Sequence, residues 1–278
     1  MEINTEGRKI FFSALVGSHN YGLAKPSSDR DYKMFVLPTF EDLYNNKQYS
    51  KDYITEDEDV SVHDARKLPS LFFKSNINFV ETLFSTDFVV GKELNDLGRE
   101  AVSYFLSVKE DIARMNLPFL YDACVGMHKT KLASIDKGTA STQKLIDTYH
   151  YETKMAEHSL RPLFVLMRYC DNNFNDFRGA INFSDHTIKN EEHKKILMNI
   201  RYGSYCKEYF LELSDAYFNI VEENYKKIYK ANVPDTFLHE NLNYVIASVI
   251  KDELLTSKEK YTYEPQVRNS VSLYAPNL

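Results

Sequence analysis

The sequence predicts an α+β protein in which an α/β unit with a small mixed sheet comes first and an all-helical region follows. Up to about residue 96 the apolar residues form short runs that glycine or proline ends, as in buried strands. From about Leu97 onward they recur at intervals of three and four residues, as in helices that face a core. The 278 residues, of which 43% are hydrophobic, suffice for one large domain or two ordinary ones.

The first 96 residues carry the strand signals. Four strands are predicted, over the stretches KIFFSALVG, DYKMFVLP, DVSVHD and DFVVG. Gly17 ends the first and Pro38 stops the second, and the turn-rich stretch between them has room for one or two helical turns. Residues 39–58 are polar and predict a surface excursion. Helices are predicted over DARKLPSLFFKSN and INFVETLFS.

The remaining residues, 97–278, are predicted to form a helical domain. Its helical stretches are REAVSYFLSVKEDIARM, PFLYDACVGMHKTKLASI, STQKLIDTYHYETKMAEHSLRPLFVLMRYC, EEHKKILMNIR, YCKEYFLELSDAYFNIVEENYKKIYKA and HENLNYVIASVIKDELL. The sequence therefore predicts two domains, 1–96 and 97–278, with a cleft between them.

Composition excludes several classes of function. The net charge of −6 gives no global basic field that would hold a long nucleic acid duplex, so any nucleic-acid site must be local. The three cysteines, Cys124, Cys170 and Cys206, form no CxxC pair, and we expect reduced core thiols in a cytoplasm. No apolar run approaches the roughly 18 residues of a membrane span, so no membrane partner is expected.

The stretch VGSHNYGLAKPSSDRDYKMFV carries two aspartates at the start of the second predicted strand. Side chains alternate across a strand, so Asp29 and Asp31 point to one side and Arg30 to the other. Two such carboxylates repel each other unless a cation lies between them. Mg²⁺, with Mn²⁺ as the alternative, is the predicted occupant, because it takes one or two carboxylates together with substrate phosphates. The other interpretation is that SSDRD is turn and capping chemistry.

Gly17 and Ser18 close the preceding strand. A glycine without side-chain bulk and the main-chain N–H groups of a tight turn let a triphosphate approach closely. The Ser18 hydroxyl would add a donor to the terminal phosphates. The turn and the carboxylates together predict a nucleoside triphosphate held by its phosphates above a metal pair.

The order Gly-Ser, spacer, Asp-x-Asp resembles the signature of the DNA polymerase beta-type nucleotidyltransferase superfamily. Its form here, with Tyr-Gly-Leu and Ser-Asp-x-Asp, is similar to the bacterial and phage branch associated with RNA repair. The resemblance continues through DVSVHDARKLPSLFFKSNINFVETLFS, where Asn76 and Glu81 match that branch's NPxxLE segment and Ile77 replaces its proline. It is strongest over about the first third of the chain.

The resemblance implies roles for particular residues. Asp29 and Asp31 would be metal ligands, and Gly17 and Ser18 would bind the phosphates, so residues 1–96 would be the catalytic domain. A third carboxylate normally comes from a later strand, for which Asp59 is the choice because it starts DVSVHD. The alternative is Asp64, which also suits the N-cap of the following helix.

A basic stripe is predicted in the helical domain. Lys154, His158 and Arg161 follow i, i+4, i+7 spacing on one helix face, with His150 one turn earlier. Such a stripe suits a triphosphate or a base edge, and the RNA-repair branch carries a similar pattern.

The other interpretation of this stripe is a solvated helix face beside Glu152 and Glu157. Pro162 is expected to kink or reset the helix just after the stripe.

These features predict a magnesium-dependent nucleotidyltransferase in a cytoplasm, and the resemblance implies a bacterial cell or a phage as its source. The donor would be an NTP, with ATP or CTP favoured, and the resemblance favours an RNA 3′ end, such as that of a tRNA, as the acceptor. Two alternatives stay open. One is the transfer of AMP to a hydroxyl of a partner protein, as antitoxin-like relatives do, and the other is a degenerate module that binds nucleotide or RNA without catalysis.

Overall fold

The computed structural model describes residues 3–55, 58–139, 142–184 and 188–256. The strands are β1 Ile10–Val16, β2 Arg30–Val36, β3 Ser50–Ile54, β4 Glu58–Asp64 and β5 Phe88–Val90. The helices between them are α1 Gly17–Asn20, α2 Phe40–Tyr44, α3 Leu68–Phe73 and α4 Ile77–Val80, with 3₁₀ turns at Ala65–Lys67 and Glu81–Phe84. The predicted order of strand, short turn, strand and later strand is confirmed.

Helices make up the described part of the chain after β5. They are α5 Asp96–Ser107, α6 Lys109–Arg114, α7 Leu117–Leu132, α8 Gln143–Tyr149, α9 Thr153–Asp171, α10 Phe177–Ile181, α11 Ile188–Arg201, α12 Lys207–Ile220, α13 Lys226–Lys230 and α14 Thr236–Thr256, with a π-helical turn at Val221–Tyr225. The α+β fold class, with a small mixed sheet followed by helices, is confirmed. The division into domains 1–96 and 97–278 stays a prediction.

The sheet has the strand order β3-β4-β2-β1-β5. Strands β2 and β4 are parallel, and the other neighbours are antiparallel. The parallel pairing places Asp31 opposite Asp59. Because β1 is antiparallel to β2, its last residue, Val16, also lies opposite Asp31. The end of β1, the turn that follows it and the two carboxylates at the start of β2 and β4 therefore lie together at one end of the central strands.

The segment 39–58 contains more structure than the polar composition predicted. Helix α2 begins after Thr39, which forms a capping box with Asp42. Strand β3 then pairs with β4 and forms an edge of the sheet. Nearly all of β3 is exposed, so its residues carry no buried run that would identify a strand.

One cluster of buried residues extends from Phe11 in β1 to Ile250 in α14, so strands and helices pack on a common core. Helix α14 packs against α3 and α5, and Lys9 Nζ, just before β1, lies 2.6 Å from Glu253 Oε2 on α14. The main-chain N–H of Asn95 donates to the other oxygen of Glu253 at 2.9 Å. Of the three predicted core thiols, Cys124 is buried, Cys170 is half-buried and Cys206 is exposed, so the prediction is wrong for the last.

Candidate functional site

Two cavities meet at the edge of the sheet where β2 and β4 begin. The basic cavity, of about 330 Å³, is lined by Gly17, Ser18, Lys25, Ser27, Ser28, Asp29, Asp31, Asp59, Leu145, Thr153, Lys154, His158, Arg161 and Arg201. The strand cavity, of about 370 Å³, is lined by Val16, Gly17, Asp31, Tyr32, Lys33, Asp52, Tyr53, Ile54, Asp59, Val60, Ser61, Asn78, Glu81 and Arg161. Asp31 and Asp59 line both, together with Gly17 and Arg161.

The carboxylates at this junction interact electrostatically. Burial raises the pKa of Asp31 above its ordinary value, Lys154 lowers it, and the charges of Asp59 and Asp29 raise it further. Asp29 is exposed, precedes the first residue of β2 and lines the basic cavity. The three predicted metal carboxylates therefore all line the basic cavity, and two of them, Asp31 and Asp59, also line the strand cavity.

The donor set fits a divalent cation that also binds phosphate. Across residues 3–55, 58–139, 142–184 and 188–256, no group of three or more His, Cys, Asp or Glu side chains could hold a metal ion by itself. Mg²⁺ does not need such a group, because one or two carboxylates suffice when substrate phosphates and water complete its shell. The neighbouring carboxylates of Asp31 and Asp59 match that smaller requirement.

The alternative third carboxylate, Asp64, lies elsewhere. It is the last residue of β4, five residues beyond Asp59, which is on the order of 16 Å along a strand. Its buried side chain accepts from Arg66 N at 2.9 Å and pairs with the Arg66 guanidinium at 2.6 Å. Asp64 therefore caps the following turn, and Asp59 is the carboxylate beside Asp31.

Gly17 approaches Asp31 very closely. An added Cβ at Gly17 would lie 2.5 Å from Asp31 Oδ2, and the residue has φ +69°, a conformation that favours glycine. The main-chain N–H of Gly17 donates to Glu81 Oε2 at 3.2 Å. We predicted that this turn offers free N–H groups to a phosphate. The N–H of Gly17 is not free in this structure, because it is bonded to Glu81, and the missing side chain of Gly17 leaves room for Asp31. Phosphate binding at Gly17 stays a prediction.

The spacer between turn and carboxylates is folded back by His19. Its Nε2 donates to the Ser28 carbonyl at 3.0 Å, and Ser28 Oγ in turn accepts from Lys25 N at 2.9 Å. Lys25, which the sequence analysis did not select, thereby reaches the basic cavity. Its ammonium donates to the Arg201 carbonyl at 3.0 Å.

The basic stripe is found on α9, with corrections. Lys154, His158 and Arg161 all line the basic cavity. His150 does not belong to this helix, since it is the C-cap of α8 and has φ +66°. Pro162 does not end the helix either, because α9 continues to Asp171.

His158 is not a cation here. Burial lowers the pKa of His158 well below its ordinary value, and the nearby charges of Arg161, Lys154 and Arg201 lower it further. Its ring is therefore neutral at neutral pH and can donate or accept a hydrogen bond.

The acidic residues of the stripe are buried rather than solvated, contrary to the alternative interpretation. Glu157 is 0% exposed, and its carboxylate lies 3.5 Å from Arg161 Nη1 and 3.3 Å from Arg201 Nη1. Glu152 is also fully buried. Arg201 comes from α11, so Glu157 gathers guanidinium groups from two helices at one cavity.

Arg161 combines burial with an unused donor. Its guanidinium lies over the Tyr21 ring at 4.3 Å, and the side chain is 8% exposed. Burial opposes its charge, yet Glu157 and other neighbouring groups keep the pKa of Arg161 above its ordinary value. Within the described parts of the chain its Nη1 makes an ion pair with Glu157 but no hydrogen bond, and Arg161 lines both cavities. A buried guanidinium with hydrogen-bonding capacity left over is suited to an anionic oxygen.

The NPxxLE-like segment forms α4 and the turn after it. Asn76 is the N-cap of α4, and its side chain accepts from Asn78 N at 3.2 Å. Glu81 is 2% exposed, and burial raises the pKa of Glu81 to about 7. The sequence indicated both residues through the resemblance but assigned them no role.

Comparison with known proteins identifies a family. A model of the RNA repair pathway DNA polymerase beta family matches residues 2–169. None of the curated proteins gives a significant match. No helix in the described ranges has the length and apolar content needed to cross a membrane. The matched residues carry the turn, the carboxylates and most of α9, and polymerase beta-like nucleotidyltransferases generally use divalent metals. The chain belongs to the RNA repair pathway DNA polymerase beta family, which indicates a nucleotidyltransferase-type role.

Proposed function

We propose that the protein is a Mg²⁺-dependent nucleotidyltransferase that moves NMP from an NTP to an RNA 3′ end. The observation that carries the proposal is the position of Asp31 and Asp59 between a cavity rich in cations and a cavity with polar walls. In such a transfer, the acceptor oxygen attacks the α-phosphorus, a new P–O bond forms, and the bond to pyrophosphate breaks. The reaction therefore needs a donor site and an acceptor site that share the reacting phosphorus.

The basic cavity suits the triphosphate of the donor, with ATP or CTP favoured. Lys25, Lys154, Arg161 and Arg201 supply positive charge, and Ser18 supplies a hydroxyl. The unused Nη1 donor of Arg161 would gain its partner when a phosphate oxygen arrives. The neutral ring of His158 would contribute a hydrogen bond without adding charge.

Asp31 and Asp59, with Asp29 at the rim, would hold Mg²⁺, or Mn²⁺ in its place. The ion would supply charge stabilisation for the oxygens of the transferred phosphate. Asp59 would take the proton of the acceptor hydroxyl, since it lines the strand cavity as well as the basic cavity.

The strand cavity suits the acceptor. Lys33, Ser61 and Asn78 offer hydrogen-bonding groups on its walls, and Tyr53 and Ile54 offer apolar surface. Two cations line it, Lys33 and Arg161, which is enough for a terminal nucleotide and its phosphate but not for a long stretch of RNA. This matches the net charge of −6, which disfavours broad binding to RNA.

The test is label transfer from each α-labelled NTP with Mg²⁺, total tRNA and cell lysate. The parent is expected to label RNA, and Asp31→Asn and Asp59→Asn are expected to label nothing. Asp96→Asn is the matched control, because Asp96 has a side chain that is 98% exposed and lies at the start of α5. Label in protein would replace the RNA acceptor with a protein hydroxyl. No label from any NTP would indicate a binding module and contradict the proposal.

A further inference from the structure

Glu81 is a buried carboxyl that contacts the turn after β1, on the way to β2 and Asp31. It is the first residue of the 3₁₀ turn after α4, and it is 2% exposed. Its Oε2 accepts from Gly17 N at 3.2 Å and from Asn20 Nδ2 at 3.2 Å. Burying a carboxyl is costly unless its oxygens are hydrogen-bonded, so a buried carboxyl with bonds to one short turn has a specific structural task.

The turn is held from two sides. On one side, Glu81 accepts a hydrogen bond from the N–H of Gly17. On the other side, Asp31 Oδ2 lies so close that a Cβ added at Gly17 would be only 2.5 Å from it. A shift of Gly17 in either direction would therefore break a hydrogen bond or press the backbone against Asp31. The position of Ser18, the next residue, follows from that of Gly17.

The same network extends into the helical region. Asn20 is fully buried, and its carbonyl and side-chain oxygens accept from Arg178 Nη1 at 3.1 and 2.7 Å. The same nitrogen donates to the Phe84 carbonyl at 2.9 Å, at the end of the turn that Glu81 begins. Arg178 lies on α10, so Glu81, Asn20 and Arg178 connect the Gly17–Asn20 turn to its surroundings at both ends.

We propose that Glu81 is a positioning residue, which holds the Gly17–Ser18 turn so that Ser18 faces the basic cavity while Asp31 keeps its place. This inference rests on the proposed nucleotidyl transfer. The carboxyl acts through its hydrogen bonds to the turn and takes no part in bond making. Both hydrogen bonds end on one oxygen, so an amide with its oxygen in that place preserves them.

Three variants separate positioning from chemistry. Glu81→Gln keeps the accepting oxygen and removes the charge. Glu81→Leu removes the acceptor, puts an apolar side chain of similar volume in its place and leaves the Gly17 N–H and the Asn20 amide without this partner. Asn20→Ala removes the second donor from the turn and leaves Glu81 in place, and it replaces Glu81→Leu if that variant does not fold. The unfolding midpoint of each variant identifies those that fold.

The experiment measures amide hydrogen exchange at Gly17, together with kcat and KM for the NTP. We expect exchange at Gly17 at least tenfold faster in Glu81→Leu than in the parent, with kcat reduced at least tenfold, because small misplacements cost about 10²-fold in rate. Glu81→Gln is expected to stay within threefold of the parent in both. The rescue by glutamine is the result that a chemical role of the carboxylate would not give.

Two outcomes would overturn the inference. Unchanged exchange in folded Glu81→Leu and Asn20→Ala would mean that the carboxyl does not hold the turn. Equal loss of kcat in Glu81→Gln and Glu81→Leu, with the Gly17 amide still protected, would assign Glu81 a chemical role. Failure of the proposed function is distinguishable from both, because the parent would then transfer no label while the exchange data would still decide whether Glu81 holds the turn.

Discussion

The basic cavity and the strand cavity share two aspartates but are built differently. The strand cavity takes its walls from residues 16–81 and from Arg161, whereas the basic cavity collects Lys25, α9 and Arg201 from three distant parts of the chain. Two of its cations, Arg161 and Arg201, pair with a buried glutamate, Glu157. Apart from Arg161, the strand cavity is therefore formed by the strands and turns of the first 81 residues, whereas the basic cavity forms only when helices from later in the chain pack against them. Their linings differ accordingly, with Lys25, Lys154, Arg161 and Arg201 in the basic cavity and Lys33 and Arg161 as the cations of the strand cavity.

The largest expected effect comes from the residues that belong to both cavities. Asp31→Asn or Asp59→Asn is expected to reduce the rate of label transfer about 10³-fold, because each removes a carboxylate from the reacting centre. Asp29→Asn is expected to cost about tenfold, since Asp29 is exposed at the rim of the basic cavity.

The thermal stability of Asp31→Asn distinguishes a loss of transfer caused by the missing carboxylate from one caused by unfolding. Burial and the charge of Asp59 disfavour the charged form of Asp31 and raise its pKa. Asp31→Asn removes this charge, so it is expected to raise the midpoint of thermal unfolding while it abolishes transfer. A lower midpoint together with lost activity would leave no reason to assign Asp31 to the reaction.

Glu81 predicts a pH dependence of the free energy of unfolding. Its pKa is about 7 in the folded chain and 4.5 ordinarily, so between these values the folded state retains a proton that the unfolded state has lost. Stability is therefore expected to fall by about 3 kcal/mol as the pH rises from 4.5 through 7. Denaturant titrations of the parent and Glu81→Gln at pH 5 and pH 8 measure the difference. Parallel pH profiles for the two would contradict it.

The basic cavity is tested through its unused donor. Arg161→Met is expected to raise KM for the NTP about tenfold to hundredfold, because hydrogen bonds to charged groups contribute about 1.5–3 kcal/mol. Steady-state kinetics with the NTP varied measure this. Arg99→Met is the control, since Arg99 has a half-exposed side chain on α5 and makes a 3.8 Å pair with Asp96. Equal KM values for all three proteins would remove Arg161 from the donor site.

The smallest expected effect isolates the strand cavity. Asn78→Ala is expected to raise KM for the RNA acceptor about 2- to 10-fold, the size of one neutral hydrogen bond, and to leave KM for the NTP unchanged. Asn232→Ala on the surface is the control. A change in KM for the NTP alone would mean that the two cavities do not divide donor and acceptor in the proposed way.

Sequence reasoning succeeded where local pattern decides structure. Strands β1 and β2 can be identified from continuous runs of apolar residues that become buried, and β4 from the alternation of buried and partly buried residues. Strand β3 was missed because Ser50–Ile54 is an exposed edge strand that its pairing with β4 alone defines. The spacing of Lys154, His158 and Arg161 identified one helix face because i, i+4, i+7 periodicity is local.

The alternative interpretation of a solvated helix face fails at Glu157, where distant residues decide burial. Beside exposed Lys154 it matches a solvated face, yet it is buried because Arg201, 44 residues later, hydrogen-bonds to it. The hydrogen bond from Gly17 to Glu81 likewise spans 64 residues. Neither partner can be found from spacing, since tertiary packing creates both contacts.

The ion pair of Lys9 with Glu253 has a consequence for synthesis of the protein. The two residues are separated by 244 positions, so at ordinary elongation rates roughly 10–50 s pass between their emergence from the ribosome. During that interval Lys9, the residue before the first strand, lacks its partner on α14. The residues from 145 to 201 that line the basic cavity also follow Asp31 by more than a hundred positions, so a nascent chain would carry the complete Gly-Ser and Asp-x-Asp sequence before the helical wall of that cavity emerges.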